Sequence, residues 1–381
     1  MNRFFFSIPL ITATVLTLFC LSNKNALSIN TPAPYAFVFD AATNTILLSK
    51  NADVKMPPAS MSKLMTVYMV FERLEKGSLS LEDELPVSRK AWKKGGSKMF
   101  VRIGDRVKVS DLLRGIIVQS GNDACIVIAE ALAGSEEKFA QQMTKKAQLL
   151  GLENSNFANA TGWPHPEQRM SARDLAQLSF LLIDKFPKLY KLFAEKTYSF
   201  NKIKQSNRNP LLFRNVGADG LKTGHTETAG YGLTASAVRG ERRIILVLNG
   251  LKSVRQRSKE SLRLLEWAFR KFKPFTLFMK GEKVTEADVW LGDKSKVPLV
   301  LDKNLKLSLT KKARTKMKIK VRMKNPIAAP IKKGTQLAKL IVSAPGIHRL
   351  ELPLFAGETI SQLGFFGRIT AAIRYVLWGP V

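Results

Sequence analysis

The spacing of apolar residues predicts a first domain in which strands at both ends of the segment enclose several helices. Tyr35–Asp40 and 45–49 alternate as two strands joined by a turn at 41–44, and further strands are predicted at 221–223, 232–238 and 243–248. Helical spacing predicts helices over 60–74, over two stretches of 111–133, and over 135–150, 172–185 and 258–269. The first domain is therefore of mixed α/β (α+β) class, an antiparallel sheet flanked by helices.

The pattern changes near Pro274. From 276 to 354 the chain runs in short alternating segments such as "KMKIKVRM" and "HRLELPLF", separated by Pro, Gly and Asn. Such runs predict antiparallel strands in a small all-β sandwich. His348 stands alone on one of these strands, which favours a structural or solvent-facing role over metal binding. The predicted boundaries are 29–273 for the first domain and 274–360 for the second.

The N-terminal segment 1–28 predicts a secretory signal. A basic start, Met1-Asn2-Arg3, precedes an apolar run over 4–21, and Ala26-Leu27-Ser28 has the small residues of a cleavage site. We expect cleavage near Ser28 and export; an uncleaved membrane anchor is the alternative.

The C-terminal segment 361–381 is predicted to be an amphipathic helix that lies on a membrane surface. In "GFFGRITAAIRYVLWGPV", Phe366, Ile369, Ile373 and two further apolar residues fall on one helical face. The segment is short and holds two arginines, which makes it a poor membrane span. Packing of this helix on the β domain is the alternative. With the signal, this predicts a protein on the periplasmic face of the bacterial inner membrane.

The charge of the chain limits its possible partners, and its cysteine and histidine content limits its possible metal sites. The chain has 61 Lys and Arg against 30 Asp and Glu, a net charge of +31, so its surface attracts anions. Nucleic acid, anionic lipid and anionic wall polymer all fit this charge, and export argues against nucleic acid. Cys125 is the one cysteine beyond the signal and is predicted to be a small core residue. Three histidines are too few for a Cys/His zinc cluster, and no cofactor is predicted.

The candidate chemistry begins with a Ser-x-x-Lys pattern. Four copies exist, starting at Ser60, Ser135, Ser199 and Ser308. Ser135 fits a helix cap, Ser199 precedes a loop, and Ser308 lies on a strand, where positions three apart face opposite sides. At Ser60 a helix begins, so Ser60 and Lys63 share one face.

Lys63 precedes an apolar run that is expected to bury it. A free lysine has a pKa near 10.4 and is a poor base at neutral pH. Burial or a nearby cation lowers that pKa. A neutral Lys63 could then take the proton from Ser60.

Two more motifs follow in order. Ser120-Gly121-Asn122 interrupts the helices of 111–133, and Lys222-Thr223-Gly224 lies on a strand. Each is weak alone, but the three together, in this order, are the motif set of β-lactamases and penicillin-binding proteins.

With longer matches such as "GIIVQSGNDACIVIAE" and "DGLKTGHTETAGYGLTASA", the segment 36–269 resembles the low-molecular-mass penicillin-binding proteins, the serine D-Ala-D-Ala carboxypeptidases. The β domain and the terminal helix match the layout of that family too. The resemblance implies its penicillin-binding/β-lactamase-like catalytic fold. Gly162-Trp163-Pro164 replaces the usual Leu-Pro, a departure with no chemical consequence evident from the sequence.

The resemblance also implies roles for the motif residues. Ser60 would form the acyl-enzyme, with Lys63 as its base, and Ser120 would relay a proton to the leaving amine. Asn122 would hydrogen-bond the substrate backbone. Lys222 would add positive potential and help lower the pKa of Lys63.

The remaining implied residues bind substrate. Thr223 would hold the terminal carboxylate, and Gly224 would let the substrate lie along the strand edge. The N–H groups of Ser60 and His225 would form the oxyanion hole. Arg257 matches the family's carboxylate-binding arginine, with Arg255 as the rival.

The predicted activity is removal of the terminal D-Ala from the peptidoglycan pentapeptide stem, with β-lactam antibiotics as covalent inhibitors. A serine β-lactamase and a D,D-endopeptidase are the alternatives within this chemistry. The β domain and tail argue against both, and no deacylating glutamate is evident for the lactamase. A non-catalytic wall- or membrane-binding protein is a further alternative, against which the intact motifs argue.

Overall fold

A computed structural model describes residues 29–346 and 349–378. The predicted signal at 1–28 and the prediction for His348 lie outside these residues.

The first part of the chain contains nine strands and seven α-helices among the described residues. The strands are β1 (Tyr35–Asp40), β2 (Thr45–Lys50), β3 (Glu84–Pro86), β4 (Arg106–Lys108), β5 (Thr197–Phe200), β6 (Ile203–Ser206), β7 (Ala218–Thr226), β8 (Gly230–Arg239) and β9 (Arg242–Leu251). The helices are α1 (Lys63–Glu75), α2 (Arg89–Lys93), α3 (Val109–Ile117), α4 (Asn122–Ala133), α5 (Glu136–Leu149), α6 (Ala172–Lys185) and α7 (Val254–Lys271).

The central sheet has five antiparallel strands in the order β2-β1-β9-β8-β7. Side chains alternate between its two faces: Phe37 and Val247 pack with the core of α1, α3, α4 and α6, whereas Val38 packs with α7 on the other side. The predicted mixed fold with an antiparallel sheet is confirmed. β7 and β2 are the two edge strands, and β7 borders the turn that leads into α1.

The second part forms a β domain. Its elements are β10 (Lys273–Phe278), β11 (Lys283–Trp290), β12 (Lys296–Val300), β13 (Leu305–Leu309), α8 (Lys311–Thr315), β14 (Lys318–Met323), β15 (Ile327–Ala328), β16 (Gln336–Ser343), β17 (Leu350–Ala356) and the terminal helix α9 (Phe365–Trp378). A two-stranded sheet, β10-β13, and a six-stranded sheet, β14-β16-β17-β12-β11-β15, share one apolar core, as a sandwich does.

The two parts are joined by buried polar contacts. The Asp40 carboxylate accepts hydrogen bonds from Arg242 Nε at 2.6 Å and from Ser308 Oγ at 2.5 Å. The Ser308 N–H donates to Thr45 Oγ1 at 3.0 Å. Ser308, one of the four Ser-x-x-Lys serines, is thereby part of the junction between the sheet and the β domain.

Several elements went unpredicted or were misplaced by the sequence pattern. The strand pairs β3-β4 and β5-β6 and the helix α2 are too short for a periodic signal. β15 runs parallel to β11, against the expectation of an all-antiparallel domain. α7 begins at Val254, four residues before the predicted start, with Ser253 as its cap.

Candidate active site

Ser60 and Lys63 lie where a turn of 3-10 helix, Ala59–Ser62, leads into α1. The Lys63 Nζ and the Ser60 Oγ are 2.9 Å apart. Ala59, just before Ser60, has a φ of 47°, a strained backbone for a residue with a side chain. Ser135 caps α5 by accepting from the Lys138 N–H, as predicted, so this copy of the motif has a purely structural use.

Lys63 is fully buried, as the apolar run predicted. Its ammonium group donates to Ser60 Oγ, to Asn122 Oδ1 at 2.8 Å and to the Thr161 carbonyl. Three acceptors match the three protons of a charged lysine. A neutral amine keeps the bonds to Asn122 and Thr161, and its lone pair then faces the Ser60 hydroxyl.

The pKa of Lys63 is lowered to about 8, chiefly by burial and in smaller part by the positive charges of Arg208 and Lys94. The two motif lysines also repel each other. The pKa of Lys222 is held well below its ordinary value, first by burial and then by the charge of Lys63. Arg208 and Lys94, two residues outside the three motifs, thus add to the positive field at Lys63, and the contribution of Lys222 stays a prediction.

Ser120 lies in the break between α3 and α4, as predicted, and Asn122 is the first residue of α4. Ser120 has a φ of 63°, and its buried Oγ makes no hydrogen bond within the described part of the chain. Asn122 bridges the site: its Oδ1 accepts from Lys63 and its Nδ2 donates to the Gly95 carbonyl at 2.9 Å. This break therefore presents a free hydroxyl and an anchored amide beside Ser60.

β7 supplies Lys222, Thr223 and Gly224. A side chain at Gly224 would lie 2.9 Å from the Pro58 carbonyl and 3.2 Å from the Ala59 Cβ. The glycine is thus needed for β7 to approach the turn that carries Ser60. This packing requirement is additional to the predicted role of Gly224, room for the substrate along the strand edge, which stays a prediction.

Arg257 is buried at the start of α7, whereas its rival Arg255 is exposed. Its Nε has no hydrogen-bond partner, and no carboxylate within residues 29–346 and 349–378 forms an ion pair with it. Burial lowers the pKa of Arg257 to about 10. The His225 ring stacks on the Tyr231 ring, with centroids 3.9 Å apart. The Arg257 guanidinium lies 5.8 Å from the centre of the Tyr231 ring. A buried, unpaired guanidinium of this kind calls for an anionic ligand.

The structure also brings to the site residues that the sequence did not single out. Arg208 follows the β5-β6 hairpin and donates to Ser97 Oγ at 2.6 Å. Lys94 lies in the loop after α2, with its Nζ 4.8 Å from the centre of the Trp163 ring. Gly162 has a φ of +79°, and a side chain there would meet the Ala59 carbonyl at 2.0 Å. Among these residues, Gly162 and Trp163 had a sequence signal, because Gly162-Trp163-Pro164 departs from the usual Leu-Pro, whereas Arg208 and Lys94 had none.

Cys125 is buried in α4, which confirms its predicted place in the core. Burial raises the pKa of its thiol to about 12. The thiol therefore stays protonated and inert at neutral pH.

The fold and the site define a serine-type peptidase, with a serine held against a buried lysine at the edge of an antiparallel sheet. Residues 22–253 match the D-alanyl-D-alanine carboxypeptidase family, and residues 272–362 match the C-terminal domain of penicillin-binding protein 5. The chain belongs to this carboxypeptidase family. It is a penicillin-binding serine D-Ala-D-Ala carboxypeptidase with a cell-wall function, as the sequence predicted.

Individual relatives are similar to this chain in sequence and in structure over most of its length. D-alanyl-D-alanine carboxypeptidase DacC of Escherichia coli is 39% identical over 340 residues, which cover 87% of this chain and 85% of that protein. Penicillin-binding protein 5 of Haemophilus influenzae superposes with a TM-score of 0.77 at 34% identity, covering 88% of this chain and 99% of that one. A penicillin-binding protein of Listeria monocytogenes, solved in its cefotaxime-bound form, is 30% identical over 64% of this chain and 99% of that one, with a TM-score of 0.59.

Proposed function

We propose that Ser60 attacks the carbonyl carbon of the bond between the last two D-alanines of the pentapeptide stem. Neutral Lys63 accepts the Ser60 proton as the new ester bond forms. The carbon–nitrogen bond then breaks, and Ser120 passes a proton to the departing amine of D-Ala. Water hydrolyses the ester and returns the enzyme. The observation that carries this proposal is the 2.9 Å contact of Ser60 with a buried lysine whose pKa is about 8.

Substrate binding follows from the same geometry. Arg257 and Thr223 bind the terminal carboxylate, with Arg208 as a further cation on that side. Asn122 and the free edge of β7 hold the peptide backbone as an added strand. The backbone N–H groups of Ser60 and His225 polarise the carbonyl. β-Lactams acylate Ser60 in the same way.

The test of this function is release of D-Ala from a D-Ala-D-Ala pentapeptide by protein that lacks residues 1–28. We expect free D-Ala together with slow turnover of benzylpenicillin. Rapid penicillin turnover without D-Ala release would instead assign a β-lactamase. Cleavage of cross-linked muropeptide dimers in preference to pentapeptide would assign an endopeptidase. Against that second outcome, the D-alanyl-D-alanine endopeptidase of Escherichia coli is 29% identical over 56% of this chain, a shorter match than that of the carboxypeptidases.

We also propose that α9 attaches the exported protein to an anionic membrane surface. Phe366, Ile369, Ile373 and Leu377 lie on one face of α9 and are exposed rather than packed on the β domain. Among the described residues, no helix is both long and apolar enough to cross a membrane. The net charge of +31 adds attraction to anionic lipid.

Deletion of residues 363–381 is expected to abolish sedimentation of the protein with vesicles of anionic lipid, because the exposed apolar face is removed. The same deletion should leave penicillin acylation within about twofold, since α9 is far from Ser60 in the chain and is not part of the site. Substitution of Ile369 and Ile373 by Ser is the milder variant and should weaken sedimentation in the same direction. Unchanged binding of both variants would contradict the attachment.

A further inference from the structure

Trp163 is a large aromatic residue at the active site that neither the core nor the proposed chemistry explains. It is 44% exposed. The Lys94 ammonium lies at its ring, in a cation–π contact. On the same loop, a side chain at Gly96 would come within 2.9 Å of a Trp163 ring carbon and 2.8 Å of Asn122 Nδ2. The ring is thus held against the loop that anchors Asn122.

A groove of about 330 Å³ runs from this ring to the end of β7. Its wall includes Ala59, which precedes Ser60, and also Trp163, Arg169, Thr226 and Thr228. The groove therefore starts next to the nucleophile and is of a size that holds one or two amino-acid side chains.

The position of the groove along β7 sets which part of the substrate enters it. Thr226 lies three residues beyond Thr223, about 10 Å along the strand. If Thr223 and Arg257 hold the terminal carboxylate, as the proposed function requires, a peptide extended along β7 passes Ser60 toward Thr226. The residue that precedes D-Ala-D-Ala then lies at the groove.

The charges around the ring favour an anion. Lys94 and Arg169 form no ion pair within the part of the chain that the structure describes, and the Arg169 guanidinium donates to the carbonyls of His165 and Gln168. The acidic residues nearest in sequence, Glu167 and Glu227, are exposed and lie outside the groove wall. Lys94 is also outside the wall and lies at the Trp163 ring, so the cation on the wall itself is Arg169.

We infer that Trp163 and Lys94 form a specificity subsite for the side chain of the stem residue that precedes D-Ala-D-Ala. The aromatic ring packs on the methylene groups of that side chain. The Lys94 ammonium, with Arg169 at the groove, favours a side chain that ends in a carboxylate, as some of the diamino acids of peptidoglycan stems do. This inference rests on the proposed function and specifies its substrate.

Two isosteric peptides test the charge preference: acetyl-(2-aminopimelyl)-D-Ala-D-Ala and the same peptide with its side-chain carboxylate converted to the amide. We expect kcat/KM for the acid to exceed that for the amide by about fivefold, the scale of one partly exposed ion pair. In Lys94→Ala the ratio should fall below about twofold. Lys98→Ala is the matched control, because Lys98 lies in the same loop but donates to the Trp92 carbonyl, and it should keep the ratio.

The acid-to-amide ratio of kcat/KM separates an effect on specificity from an effect on catalysis. Lys94 also lowers the pKa of Lys63, but both peptides use the same Lys63, so that effect cancels. Trp163→Leu should lower kcat/KM for both long peptides about threefold to fivefold relative to acetyl-Gly-D-Ala-D-Ala. A ratio near one in the unmodified protein, or an unchanged ratio in Lys94→Ala, overturns the subsite while D-Ala release from the glycyl peptide upholds the proposed function. Absence of D-Ala release from all three peptides overturns both.

Discussion

Ser60→Ala is expected to abolish covalent labelling by a fluorescent penicillin and to lower D-Ala release by at least about 1,000-fold. The physical reason is that alanine has no nucleophilic oxygen for the acyl group, while the buried Lys63 cannot reach the substrate in its place. Ser60 is only partly buried and its hydroxyl bonds to Lys63 alone among the described contacts, so the variant should fold. Gel fluorescence after incubation with the labelled drug measures the first effect directly.

The matched control for this experiment is Ser199→Ala. Ser199 and Lys202 repeat the Ser-x-x-Lys spacing, but Ser199 is an exposed residue of β5. Labelling of Ser199→Ala should equal that of the unmodified protein. Persistent labelling of Ser60→Ala, with a normal thermal unfolding curve, would assign the nucleophile to another residue.

Lys63→Met is the second large effect, with an expected loss of acylation of about 1,000-fold or more. In the unmodified enzyme the acylation rate should rise with pH and level off above a midpoint near pH 8, because only the neutral amine accepts the Ser60 proton. Stopped-flow acylation between pH 6 and 10 measures this midpoint. If Lys63→Met retained appreciable acylation with the same midpoint, the base would have to be another group.

The same substitution changes how stability depends on pH. Lys63 has a pKa of about 8 in the folded protein against 10.5 when unfolded, so the unfolded chain binds more protons between these values. Stability from this group therefore rises with pH across that window, by roughly 2 kcal/mol between pH 7 and 9.5.

Urea unfolding at the two pH values tests this difference. Lys63→Met should lack the increment that the unmodified protein shows. Lys76→Met, at the exposed end of α1, should keep it. Equal pH dependence in the unmodified protein and Lys63→Met would show that the Lys63 pKa is not lowered by folding.

The fold was predictable where the chain has long periodic segments. The strands of the central sheet and the helices α1, α3, α4, α5 and α6 follow from apolar spacing, because each packs apolar residues into a core beside the sheet. The elements that were missed, such as α2 and the β5-β6 hairpin, are short and largely polar. Their positions depend on contacts with distant segments, for which a local pattern holds no information.

The residues of the site, too, were predictable where a local motif marks them and not elsewhere. The three motifs predicted Ser60, Lys63, Ser120, Asn122 and Lys222 because their spacing on a helix start, a helix break and a strand has local meaning. Arg208 and Lys94 carry no motif, yet they lie close enough to lower the pKa of Lys63. The sequence could name only Lys222 as a cation acting on Lys63, because Lys222 belongs to a motif, and that contribution stays a prediction.

By itself, then, the sequence determined the class of fold and the pairing of a serine with a buried lysine, because both depend on residue types at short fixed spacings. Only the tertiary structure decided which arginine of the pair 255 and 257 is buried, why Gly224 must be glycine, and that Trp163 stands at the mouth of the site beside Lys94. Burial, close approach of backbone segments and electrostatic proximity are properties of distances between residues far apart in the chain. Those distances are set when the sheet, the helices and the loops pack together.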